Sequence, residues 1–284
     1  MPANEWLVSA AVIGRLTLMR LSIWAAALLL GVSGCTRASR SAPEPRASFD
    51  VVLLMGQSNM AGRGRVTTED RTPVPHVWML GRSGSWVPAV EPMHFDKPTA
   101  GVGPGRSFGI ELARATGRDI GLVPAAVGGS SITLWVPGAY DSVTHTHPYD
   151  DALCRARLAM QRGPLVAVLW HQGEADANPD RAPEYSARLR ALIERFRSDL
   201  GTPDVPVLVG QLGQFRPWTA NDSTVDAAHR AMARTLPHVA FVSSDGLRDQ
   251  GDALHFDAAS AREMGRRFAA AYAAMRAEGG RSAR

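Results

Sequence analysis

The sequence predicts an α/β fold: a three-layer α/β/α sandwich around a central, parallel, flavodoxin-like sheet of five strands. Three observations carry this expectation. Short continuous apolar runs recur, such as Val51–Met55 and Leu165–Trp170, and a strand buried on both faces reads this way. Segments with apolar residues at helical spacing lie between the runs. Most of the runs are followed by a polar or glycine-rich cluster, at the sheet edge where open α/β sheets bind ligands.

The strands expected are Val51–Met55, Ile120–Ala126, Leu165–Trp170, Val205–Gln211 and Val239–Ser243, each a run of mostly apolar residues. The helices expected between and after them are Ser107–Thr116, Tyr149–Gln161, Ala182–Leu200, Ser223–Thr235 and Ala258–Ala277. A strand that alternates with a helix in this way builds a parallel sheet with both faces covered. No internal repeat interrupts the pattern. The domain therefore spans residues 49–277, and 278–284 read as a disordered tail.

The segment before residue 49 has a different character. From Met19 the chain reads MRLSIWAAALLLGVSGC: one arginine, a short apolar stretch from Leu21 to Val32, then Val32-Ser33-Gly34-Cys35. The stretch is too short for a mature transmembrane helix and reads as an export signal. Its ending resembles a bacterial lipobox, which implies lipidation at Cys35. Residues 1–34 form this signal segment, with translation starting at Met1 or Met19. Residues 35–48, rich in Ser, Pro, Ala and Arg, read as a flexible tether. The expectation is an exported protein of the bacterial cell envelope, held to the membrane through a lipid on Cys35.

Composition narrows the function. The formal charge is +4, and the basic residues are scattered among acids, which argues against a nucleic-acid partner. Lys97 is the only lysine. With Cys35 acylated, Cys154 is the one cysteine left, so no internal disulfide is expected. Cys154 falls in an apolar helical pattern and reads as a buried structural thiol.

The clusters at the strand ends carry the chemistry. The first strand runs into Gly56-Gln57-Ser58-Asn59, the second into Gly128-Gly129-Ser130-Ser131, and the third into His171-Gln172-Gly173-Glu174-Ala175-Asp176. Beyond the fifth comes Asp252-Ala253-Leu254-His255. A serine nucleophile needs a base within hydrogen-bond reach, and Ser58 at a strand-to-helix turn also brings its own N–H beside the reacting carbonyl. The alternative for Ser58 is a helix N-cap. His255 is the candidate base, and Asp252, three residues earlier, the group that orients it. Gly129 and Gln172 are candidate oxyanion donors, with Gly128 open as a substitute for Gly129; a plain turn is the other reading of the two glycines. Glu174 is expected to orient Gln57 or Gln172 or to bind a sugar hydroxyl. Trp135 stacks on a sugar or fills the core. Gln57 and Asn59 support the loop.

Other motifs carry less. GVGPGRSFG, residues 101–109, lacks the Gly-Lys-Ser/Thr of a phosphate loop and reads as a turn that shapes the cleft. Glu174 and Asp176 have no matching histidine pair or carboxylate loop nearby; His145-Thr146-His147 offers two candidate metal ligands, but in a polar loop. Neither a metal nor an organic cofactor is expected.

In order along the chain, GQSNM, GVGPGRSFG, GGSSI with Trp135, HQGEAD and DALHF together resemble the SGNH (GDSL-like) hydrolase superfamily. Within it the chain is similar to the sialate O-acetylesterase and acetylxylan esterase group, carbohydrate esterase family six, over most of residues 50–270. The resemblance implies Ser58 as nucleophile, His255 as base, Asp252 as orienting acid, and an oxyanion hole from the Ser58 N–H, Gly129 and Gln172. Gln172 stands where the wider superfamily has Asn, and the esterase group carries Gln there. An ordinary α/β-hydrolase elbow needs Gly at position 60, and this chain has Met60. The function implied is a serine esterase that takes acetyl groups from carbohydrate. The alternatives are a different ester (lipid, peptidoglycan or a small acetate) and a lipid-anchored glycan-binding protein without activity.

Overall fold

A computed structural model describes residues 49–282. The expected signal segment, Cys35 and the tether lie outside the described residues. A seven-stranded sheet runs through the domain in the order β3-β2-β4-β1-β5-β6-β7. The strands are β1 (Asp50–Gly56), β2 (Val77–Leu80), β3 (Trp86–Pro88), β4 (Ile120–Pro124), β5 (Leu165–His171), β6 (Val207–Gly210) and β7 (Val239–Val242). All neighbours are parallel except β2 and β3. The helices are α1 (Ser58–Ala61), α2 (Pro104–Thr116), α3 (Pro148–Met160), α4 (Tyr185–Leu200), α5 (Ala220–Thr235) and α6 (Ala258–Ser282).

The five strands expected from the sequence are β1, β4, β5, β6 and β7. Numbered alone they lie in the order 2-1-3-4-5, the flavodoxin-like arrangement. The strand count is the correction: β2 and β3 extend the sheet at one edge. They are four and three residues long, so neither builds a run that stands out from its loop. Alternation along β1 divides the core. Val51, Leu53 and Met55 pack beneath α3, α4 and α5, and Val52 and Leu54 pack beneath α2 and α6.

Two further expectations are corrected. Cys154 is exposed, because the buried face of α3 is Tyr149, Ala152, Ala156 and Ala159, and residue 154 falls between these positions on the helix. The C-terminal helix does not end at Ala277 but continues to Ser282, into the segment read as a disordered tail.

Candidate active site

The site forms at the carboxyl edge beside β1, where the strand order reverses. Gly56, the last residue of β1, pairs with His171 at the end of β5. Its φ is +130°, and a Cβ there would lie 2.1 Å from the His171 carbonyl oxygen. Only glycine fits, and this close approach lets the chain leave the sheet at once. Gln57 N–H donates to His171 O at 2.9 Å, and Ser58 begins the single-turn helix α1. As a first helical residue its N–H has no intrahelical acceptor. Ser58 Oγ does not cap the helix: it lies 3.0 Å from His255 Nε2.

His255 sits in the β7–α6 loop. Its Nδ1 is 2.7 Å from Asp252 Oδ2, and Asp252 Oδ1 accepts from the backbone N–H groups of His255 (2.8 Å) and Leu254 (3.0 Å). Burial works to raise the Asp252 pKa. The N–H of His255, Gln250, the His255 ring and the N–H of Leu254 outweigh it and hold the carboxyl well below the usual carboxylate range. An ionised carboxylate only accepts, so Nδ1 carries hydrogen. In the neutral ring Nε2 then accepts from Ser58 Oγ, as a general base must.

The two ends of this relay are tied together by Asn59. Its Nδ2 donates to Leu254 O (3.1 Å) and Glu174 Oε1 (2.6 Å), and its Oδ1 accepts from Phe256 N–H (3.1 Å). The residues on both sides of His255 are thus held by the residue that follows Ser58. Phe256 is buried against the rings of His171 and Phe215, which anchors the loop further. Glu174 therefore orients Asn59 rather than Gln57 or Gln172.

The glycine pair comes alongside because the chain after β4 keeps pairing with β1: Val127 N–H donates to Gly56 O at 2.9 Å. Gly128 N–H is committed to Asp96 Oδ2 at 2.8 Å. Gly129, at φ +83°, has no such bond and lines the cleft with Ser58 and His255. Of the two glycines, Gly129 is the available donor. A Cβ on Gly128 would fall 2.2 Å from Arg63 Nη2, so a side chain there would displace the Arg63 guanidinium.

Gln172 departs from its expected role. It is fully buried, and its NH2 donates to Gln57 Oε1 (3.1 Å), Ser130 O (3.1 Å) and Asp176 Oδ2 (2.5 Å). Both amide hydrogens are engaged, and the side chain is absent from the cleft wall. Gln172 braces the loops that carry Gln57, Ser130 and Asp176. Asp176 does the same from below, accepting from Ser131 Oγ and Ile132 N–H. Gln57 Oε1 also accepts from Gly173 N–H and Ala175 N–H, at 3.4 and 3.3 Å. Trp135 belongs to the core: it is fully buried, edge-on to Trp170, with Nε1 bonded to Ser130 Oγ. His145 bonds Tyr140 and His147 bonds Ala139 O, so the two do not converge on one point.

Two cationic residues were missed by sequence reasoning. Arg63 and Lys97 line the cleft of about 390 Å³ above Ser58. Lys97 had a signal, as the single lysine of an arginine-rich chain.

A hydroxyl, an imidazole and a carboxylate in hydrogen-bonded series, beside two free N–H groups, form the constellation of serine ester hydrolases. Residues 48–274 match the family described as carbohydrate esterase, sialic acid-specific acetylesterase, and the chain belongs to that family. A probable carbohydrate esterase of Arabidopsis thaliana is 29% identical over 245 residues, covering 78% of this chain and 89% of the relative. A solved Arabidopsis thaliana structure has a TM-score of 0.71 at 28% identity and covers 81% of this chain and 99% of its own. NanS shares the fold at a TM-score of 0.68 and 20% identity, over 83% of this chain and 99% of NanS. A carbohydrate acetylesterase of Xanthomonas citri shares it at 0.61 and 22%, over 78% of this chain and 55% of that one.

Proposed function

We propose that the protein is an exported serine esterase that removes O-acetyl groups from carbohydrate, held to the cell envelope through a lipid on Cys35. The observation that carries the catalytic part is the relay Ser58 Oγ–His255 Nε2 at 3.0 Å and His255 Nδ1–Asp252 Oδ2 at 2.7 Å. The export part rests on the sequence from Met19 to Cys35.

In the proposed reaction Ser58 Oγ attacks the acetyl carbonyl carbon while His255 Nε2 takes its proton. Asp252 holds the Nδ1 hydrogen and stabilises the imidazolium that forms. The carbonyl oxygen becomes an oxyanion, and the N–H groups of Ser58 and Gly129 receive it. The intermediate collapses with cleavage of the bond to the sugar oxygen, which leaves as an alcohol with the proton from His255. Water, deprotonated by His255, then attacks the acetyl-serine, and acetate departs. The intact relay favours this reading over a glycan-binding protein without activity.

Acetate release from acetylated xylan, O-acetyl sialic acid and acetylated peptidoglycan tests the substrate class. Release from a sugar ester, lost in Ser58→Ala with the melting temperature retained, supports the proposal. Hydrolysis of 4-nitrophenyl acetate without release from any of the three overturns its carbohydrate part.

A further inference from the structure

For the proposed oxyanion site to work, two N–H groups must converge on one oxygen, and they come from separate segments of the chain. Ser58 starts α1 after β1, and Gly129 lies in the turn after β4. The turn is closed by Ser130 N–H donating to Val127 O at 3.2 Å, with Gly128 and Gly129 at its centre. The backbone φ is positive at Gly129 (+83°) and not at Gly128, the pattern of a type II turn. A type I turn has the same ends and differs by rotation of the central peptide through roughly half a circle. Two glycines permit both forms. In the observed form Gly129 lines the cleft; in the other its N–H swings to the opposite side.

Both ends of the turn are anchored. Val127 N–H donates to Gly56 O at 2.9 Å, and Ser130 is fully buried, its carbonyl receiving Gln172 Nε2. The centre has one anchor. Gly128 N–H donates to Asp96 Oδ2 at 2.8 Å, the one hydrogen bond that either glycine makes among the described residues. The same oxygen pairs with Arg63 Nη2 at 3.3 Å. Arg63 follows α1, and its Nη1 donates at 2.6 Å to the carbonyl of Gly62, whose own N–H donates to Ser58 O at 2.8 Å. Asp96 thus joins the Gly129 turn to the helix that carries Ser58. The Asp96 and Arg63 side chains are 3% and 8% exposed, so little solvent weakens their pairing. Met93 and His94, both buried, fix the segment from which Asp96 reaches. Charge balance matters as well: a lone carboxylate beside the turn would repel the developing oxyanion, and Arg63 offsets it.

We propose that Asp96 is a positioning residue for the reaction: with Arg63 as its counter-charge, it locks the 127–130 turn in the form that aims Gly129 N–H at the oxyanion and holds it beside Ser58 N–H. The proposal rests on the serine esterase reading and deepens it. Asp96 does not line the cleft, so it acts through Gly128 and not by touching the ester. Its loss should therefore lower the rate of the chemical step and leave substrate binding alone.

The test is steady-state hydrolysis of 4-nitrophenyl acetate, a small uncharged ester, with folding checked by thermal melting. In Asp96→Ala, kcat should fall at least about tenfold, part of the roughly 10²–10³ that a lost oxyanion donor costs, with KM little changed. Asp96→Asn keeps an acceptor for Gly128 N–H and should recover most of that loss. Fluorophosphonate labelling of Ser58 places a phosphonyl oxygen at the same two N–H groups and should slow in parallel in Asp96→Ala. A smaller loss of kcat in folded Asp96→Ala, or a loss that falls on KM, overturns the proposal. So does an Asp96→Asn protein no faster than Asp96→Ala. If Asp96→Ala does not fold, Arg63→Gln decides: it leaves the carboxylate without its counter-charge and should lower kcat at least about fivefold at constant KM, and a smaller loss overturns the proposal. Hydrolysis undiminished in folded Ser58→Ala means that the serine esterase reading has failed and the positioning role with it. Hydrolysis that needs Ser58 but is indifferent to Asp96→Ala means that the positioning role alone has failed.

Discussion

Replacing Asn59 by alanine isolates the role of the residue beside the nucleophile. The substitution removes the bonds to Leu254 O, Glu174 Oε1 and Phe256 N–H, and leaves the buried Phe256 N–H without an acceptor. One unpaired buried donor costs about 1–3 kcal/mol, and the other lost bonds add about 1 kcal/mol each. Stability should fall by about 3–5 kcal/mol, or roughly 6–20 °C in melting temperature for a domain of this size. The catalytic effect is separate. Leu254 and Phe256 flank His255, so their release lets the imidazole drift from Ser58. A misplacement of about 1 Å costs on the order of a hundredfold in rate, equivalent to about 2.7 kcal/mol. Steady-state hydrolysis of 4-nitrophenyl acetate, measured below the melting transition, should show kcat reduced about a hundredfold with KM little changed. A folded Asn59→Ala protein with kcat within about twofold of wild type would refute the claim that Asn59 positions the base.

Three other outcomes follow from the same geometry. Asp252→Asn turns an acceptor into an amide that favours the wrong His255 tautomer; kcat should drop by about 10⁴, and stability should fall as well because the ionised carboxylate is the form the loop holds, checked by kinetics and thermal melting. Gly56→Ala should leave little folded protein, since its Cβ meets the His171 carbonyl at 2.1 Å; soluble yield and circular dichroism report this. Glu91 is buried, and desolvation, opposed by the N–H groups of Met93 and Gly103 and by Arg106, raises its pKa to about 8. The folded state then binds the proton more tightly than the unfolded chain, so stability falls as pH rises from about 4.5 through 8. Glu91→Gln should melt higher than wild type at pH 9 and close to it at pH 4, in calorimetry across that range.

The sequence made the sheet core and the hydrogen-bonded Ser58–His255–Asp252 series legible for the same reason: strands buried on both faces are continuous apolar runs, and the polar clusters that follow them meet at one sheet edge. Residues 58, 252 and 255 were therefore readable before any contact was known. Short edge strands were not, because Val77–Leu80 and Trp86–Pro88 owe their strand state to pairing with β4 and with each other. Helix phase misled at Cys154, where an apolar neighbourhood did not determine which side faced in. The division of labour among the amides was also hidden. Whether Gln172 faces the cleft or the interior depends on acceptors at Gln57, Ser130 and Asp176, which the fold brings together from three strand ends. Asn59 shows the converse: it looked like a generic loop support, and its reach to Leu254 and Phe256 spans most of the chain. The cleft wall takes Arg63, Lys97 and Thr99 from irregular segments whose residues obey no periodicity.

The central claim is that Ser58 is the nucleophile that His255 activates. Labelling with a fluorophosphonate probe, followed by peptide mass spectrometry, tests it most directly. The account predicts a single adduct on the peptide that contains Ser58, abolished in Ser58→Ala and strongly slowed in His255→Ala. An adduct on another residue, or undiminished ester hydrolysis in folded Ser58→Ala, would contradict it.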